Sequence, residues 1–129
     1  MVSKFFRFSI KGDNINPEEI RDAVSLPCNI YRKDDVVVKQ YLTQVCLKQK
    51  TNRWVYFDEA HHGSRLDGFL TKNLLLIDSK LPLLKPWIKN AECQMELVIY
   101  AGDNTDIKLN RKHIELIHKI GVGMSISFC

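Results

Sequence analysis

The chain has 129 residues, 45% of them hydrophobic and 26% charged, with 19 basic side chains against 15 acidic ones. That length buries one core without disulfide or metal staples, so one domain spanning 1–129 is expected. The net charge of +4 is scattered rather than concentrated in a basic patch, which disfavours nucleic acid as a partner.

No stretch approaches the ~20 apolar residues of a membrane span. Met1-Val2-Ser3-Lys4 runs directly into strand-like sequence without the apolar core of a signal peptide. The expectation is a cytoplasmic protein that does not enter the membrane. In that setting Cys28, Cys46, Cys93 and Cys129 are expected as thiols. Cys46 and Cys93 read as small buried hydrophobes, and Cys129 as an exposed thiol whose redox state stays open.

Residues 4–11 alternate Phe6, Phe8 and Ile10 with Arg7 and Ser9, the period of a half-buried strand. Gly12-Asp13-Asn14 then turns the chain towards a helix. Asn16 is its expected cap, Pro17 suits the first helical position, and Glu19 completes a capping box. Ile20, Ala23 and Val24 form the inward stripe, and Leu26-Pro27 ends the helix.

Residues 29–33 read as a strand, Asp34-Asp35 as a turn and 36–47 as extended, with their strand order left open. Lys50-Thr51-Asn52 is turn-like, Arg53 to Phe57 is a returning strand, and 58–64 reads as a loop. Leu66, Phe69, Leu70, Asn73, Leu74 and Ile77 recur at helical spacing over 65–78. Ser79 is the expected cap of a second segment, 80–89, which Pro86 makes kinked or 3₁₀-like.

Residues 92–100 form another strand, with Met95, Leu97 and Ile99 opposite Glu96, Val98 and Tyr100. Gly102-Asp103-Asn104 repeats the first triplet and leads to Asn110 as a cap. The helix 111–120 is expected to turn Ile114, Ile117 and Ile120 inward with Leu116 alongside, and Gly121 to close it. His113 and His118 read as surface or boundary residues, and 122–128 as the final strand. The sum is an α+β fold, a mainly antiparallel sheet with helices on one face and a strand–loop–helix–strand pseudo-repeat at its two ends.

"FRFSIKGDNINPEEIRDAVSLP", "RWVYF" and "LNRKHIELIHKIGVGMSISFC" together resemble a bacterial family of unknown function, domain-of-unknown-function family 4279. The resemblance implies a strand, a Gly/Asp turn and a helix closed by a Leu-x-Pro-like segment. A tryptophan strand before a Leu-rich helix and a terminal helix–strand pair follow. It brings no catalytic residues. "EAHHGSRLDGF" and residues 80–89 depart most from the family pattern.

Asp58, Glu59, His61 and His62 form the most suggestive cluster, since carboxylates beside imidazoles suit a divalent cation or acid–base work. The His-Glu-x-x-His spacing of a zinc hydrolase is absent, no catalytic set is legible, and no metal or cofactor is assigned. The Gly-Asp-Asn loops lack the glycine content of a phosphate cradle and read as turns. Arg53 and Arg32 join the Asp58–His62 cluster as candidate binding residues, with Arg7 and Lys39 as further cationic contacts for a ligand or nucleic acid on a sheet face.

The expectation is therefore a non-enzymatic protein-binding module. Its sharpest form is an immunity protein that neutralises a partner toxin domain. A small-ligand or nucleic-acid binder is the alternative and a metal-dependent hydrolase the third reading. Oligomeric state is not legible.

Overall fold

In the computed structural model the described residues are 2–33, 36–41, 43–48, 51–61, 63–100 and 107–129, with the backbone alone described across 36–48. In chain order the elements are β1 (Val2–Gly12), α1 (Pro17–Val24), β2 (Asn29–Tyr31), β3 (Val36–Tyr41), β4 (Thr43–Lys48), β5 (Asn52–His61), α2 (Leu66–Ser79), α3 (Leu81–Asn90), β6 (Glu92–Ile99), α4 (Arg111–Ile120) and β7 (Met124–Phe128). Among the described residues five strands make one sheet in the order β2-β5-β1-β6-β7, and β3 and β4 pair only with each other. All pairs in the main sheet are antiparallel except β6–β7. The fold is α+β, as the alternation of strand and helix patterns implies.

β1 sits at the centre because its apolar period is the cleanest in the chain. Phe6, Phe8 and Ile10 lie fully buried on one face, opposite Met95 and Leu97 of β6 and Trp54 and Tyr56 of β5. Phe8 meets Trp54 edge-on, with ring centroids 6.3 Å apart, a geometry that rings favour over flat stacking. Ile20 and Val24 of α1, Leu70, Leu74 and Ile77 of α2, Leu84 of α3, and Leu116 and Ile120 of α4 complete this core.

Local signals set the helix ends. Asn16 accepts from the Glu18 backbone N–H at 3.1 Å, so α1 is capped at its second residue and the capping box expected through Glu19 does not form. The left-handed Ser25 closes α1 and the left-handed Gly121 closes α4. Asn52 secures the first Gly-Asp-Asn turn. Its amide donates to the Asp13 and Ile15 carbonyls, and its carbonyl accepts from the Lys33 N–H. The second triplet lies outside the described residues, as does the Asp34-Asp35 turn.

Several expectations change in three dimensions. Residues 36–47 are not one extended run but the two arms of the β3–β4 hairpin. The strand expected to end at Phe57 continues to His61, because β1 offers pairing partners along its whole length. Ala23 is exposed, and Ile114 of α4 is 57% exposed, its inward place taken by His113. Ser79 does not cap α3; its hydroxyl donates back to the Leu76 carbonyl at 2.6 Å. Residues 81–90 are α-helical despite Pro86, which forgoes one backbone bond while Asn90 donates to its carbonyl.

The two ends share an order of elements but not a geometry. β2 and β5 are antiparallel, as are β5 and β1, so β2 runs parallel to β1 with β5 between them. The crossover through α4 instead places β7 directly beside β6.

Candidate functional site

The cluster Asp58, Glu59, His61 is split by its own strand. Successive residues of β5 point to opposite faces, so Asp58 shares the helix side with Tyr56 while Glu59 lies on the other face. Asp58 is engaged there: it accepts from Asn73 and Lys72, each at 3.1 Å. Asn73 in turn accepts from the Tyr56 hydroxyl at 2.7 Å and donates to the Phe69 carbonyl. This buried network ties α2 to the sheet. Burial, with the Asp58 carboxylate as a second cause, pushes the Tyr56 phenol up to about 12.

His61 is exposed at the end of β5, and His62 lies outside the described residues. Among the described residues no group of three or more His, Cys, Asp or Glu is placed to hold a metal ion. Burial, with Glu92 nearby, raises the Cys93 thiol to about 11. At neutral pH it stays a thiol and is a poor nucleophile.

His113, read from sequence as a surface or boundary residue, is fully buried. Its Nδ1 accepts from the Asn110 backbone N–H at 3.3 Å, while Asn110 Oδ1 accepts from the His113 N–H at 2.9 Å. A histidine thus closes a capping box normally closed by Glu or Gln. Its Nε2 lies 2.8 Å from Thr71 Oγ1 and 3.2 Å from Asp67 Oδ1. Asp67 also accepts from the Asn110 amide. With Nδ1 accepting, the neutral ring carries its proton on Nε2, where both oxygens can receive it. The group joins α2 to α4 and leaves no lone pair for a substrate. Only an Asn cap three residues before an imidazole hinted at it in sequence.

The sheet face without helices has a different character. Arg7, Arg53, Val55, Phe57, Glu59 and Tyr31, with Phe5 and Asn29, line a groove of about 260 Å³ across β1, β5 and β2. The Arg7 guanidinium lies over the Phe5 ring at 5.2 Å and reaches Glu96 only at 3.9 Å. Lys11 pairs with Glu92 at 3.4 Å. Among the described residues Arg53 has no ion pair, and its Nε is shielded from solvent without a hydrogen-bond partner. Glu59 likewise has no ion pair among them. Phe57 is 41% exposed.

Of the residues singled out in sequence, Arg7, Arg53 and Glu59 come together in this groove. Arg32 does not join them; it is ion-paired with Glu18 of α1. The side chain of Lys39 lies outside the described residues. Phe5, Tyr31, Val55 and Phe57 were legible as strand residues, but their gathering depends on strand order, which no local pattern carries.

Helices on one face of a small, mainly antiparallel sheet, and a cationic, aromatic groove on the other, define an α+β domain. The chain belongs to the family described as domain of unknown function (DUF4279), whose model matches residues 3–128. No curated protein and no solved structure matches the chain. Among the described residues no helix is long and apolar enough to cross a membrane.

Proposed function

We propose that the protein is a cytoplasmic, non-enzymatic protein-binding module that engages its partner through the helix-free face of the sheet, and that its sharpest form is a bacterial immunity protein covering a toxin domain. The observation that carries this reading is the groove around Arg53 and Phe57. Arginine and large aromatic side chains dominate the energetics of protein interfaces, and here they share a concave surface. At about 260 Å³ the groove is smaller than the ~300–1,000 Å³ typical of small-molecule sites and suits one or two partner side chains. Glu59, Glu92 and Glu96 share the face with the arginines and oppose a nucleic-acid backbone.

The test is co-expression with the product of the neighbouring gene. The expected result is a stoichiometric complex, relief of any growth inhibition by that product, and loss of both in Phe57→Lys with the fold intact by circular dichroism. No complex with that product, or a complex that Phe57→Lys leaves unchanged, overturns the reading.

A further inference from the structure

β5 outruns its outer neighbour. It extends to His61, yet among the described residues β2 pairs only with Arg53, Trp54 and Val55. Residues 56–61 therefore have β1 on one side and, among the described residues, no strand on the other. A strand edge with unmet N–H and C=O groups is a template for a further strand. Natural domains blunt such edges with short strands, charged side chains (lysine above all) or proline; 56–61 reads Tyr-Phe-Asp-Glu-Ala-His, without lysine or proline but with the charges of Asp58 and Glu59.

Concave surface lies near this edge. The groove on the helix-free face runs from Arg53 to Glu59, about 20 Å along an extended strand. A second concavity of about 460 Å³ takes over at Glu59 and is lined by His61, Arg65, Phe69 and Lys72 at the start of α2. The two share Glu59, which lies within the overhang.

The charges lining the two concavities are mostly positive: Arg7 and Arg53 in the first, Arg65 and Lys72 in the second, against Glu59 as the acid. Among the described residues neither Arg53 nor Arg65 has an ion pair, and α2 begins at Arg65 without a side-chain cap. An occupant bearing carboxylates meets two uncommitted guanidiniums, which hold carboxylates with two parallel hydrogen bonds.

We infer that β5 accepts an extended, acidic segment of a partner protein as an added strand along residues 56–61. Main-chain hydrogen bonds supply the affinity, and carboxylates select the segment through Arg53 and Arg65. This deepens the protein-binding reading and rests on it.

The probe is a synthetic ten-residue peptide alternating glutamate with valine and threonine. Its controls are the same peptide with lysine for glutamate and one with a central proline that removes a backbone donor. Fluorescence anisotropy measures affinity, and amide hydrogen exchange maps the contact. The acidic peptide is expected to bind and to slow exchange within 56–61, and both controls to lose at least tenfold in affinity. Arg53→Glu is expected to weaken binding at least tenfold and Glu59→Gln to tighten it several-fold. A general loss of structure cannot produce these opposite signs. No binding, indifference to the central proline, or unchanged exchange at 56–61 overturns the inference. The neighbouring-gene product binding in a Phe57-dependent way without slowing 56–61 overturns strand addition alone. Peptide protection of 56–61 with no complex from that product leaves strand addition standing and removes the immunity reading.

Discussion

Along β1 the side chains facing the helices are Phe6, Phe8 and Ile10, none with solvent exposure, while those between them are Phe5, Arg7, Ser9 and Lys11. The same backbone thus supplies two surfaces. On the helix side nearly every polar group has a partner: Tyr56, Asn73 and Asp58 bond in sequence, and Lys4 donates to Ser3. Among the described residues the indole N–H of Trp54 and Oδ1 of Asp78 are the exceptions there. On the other face Arg53 and Glu59 have no ion pair among the described residues. Polar groups committed to one another hold a fold together, whereas uncommitted charges on a concave surface are available to something else.

The largest effect should come from breaking the packed face. Leu70→Ala in α2 removes a fully buried side chain and is expected to cost about 2–5 kcal/mol, read from the midpoint of urea unfolding. Phe57→Ala on the other face should cost less, about 1–2 kcal/mol, because that ring is already 41% exposed. Equal costs at the two sites would mean that both faces are core, and the contrast would fail.

His113 sharpens the comparison, because it is polar yet belongs to the packed side. His113→Ala leaves the Asn110 backbone N–H and the Thr71 hydroxyl without their partner and is expected to cost about 1–3 kcal/mol. The adjacent Ile114→Ser should stay within about 0.5 kcal/mol, since Ile114 is 57% exposed. A larger cost at Ile114 than at His113 would restore the helix orientation that hydrophobicity alone suggests.

That inversion shows what sequence could convey. The periods of β1 and β6, the Asn16 and Asn110 caps and the Gly121 stop were legible because each depends on residues within one turn of helix or one strand. α4 misled because its apolar residues span more than one face, and only the packing of α2 against it chooses between Ile114 and His113. The extension of β5 to His61 was hidden because Asp58, Glu59 and His61 have weak strand propensity; pairing with β1 overrides that preference. The groove was hidden for a related reason. Arg7, Arg53 and Tyr31 lie on three strands whose adjacency is long-range.

Tyr56 tests the packed face through pH. Its phenol is raised from 10.0 to about 12, so the folded state favours the neutral form more than the unfolded chain does. The associated stability is complete below pH 10 and is lost as pH rises towards 12. Tyr56→Phe leaves Asn73 Oδ1 without its donor and is expected to cost about 1–2 kcal/mol at neutral pH. The gap between wild type and variant should narrow between pH 10 and 12. A gap that is constant across this range would mean that the phenol is not held neutral by its surroundings.

Lys72 should give the smallest change in stability and the cleanest separation of the two surfaces. Its side chain is 67% exposed, and its ion pair with Asp58 is 3.1 Å long. Asp58 keeps its hydrogen bond from Asn73 when the lysine is removed, so Lys72→Ala should cost under about 1 kcal/mol. The same ammonium lines the concavity beside the free end of β5. Removing it should therefore weaken an acidic peptide several-fold in low salt, with the difference shrinking as salt is added. Unchanged stability with weakened binding places Lys72 with the contact surface although it sits on a helix of the packed side. Lost stability with unchanged binding assigns it to the Asp58 network instead, and draws the boundary between the two faces along β5 itself.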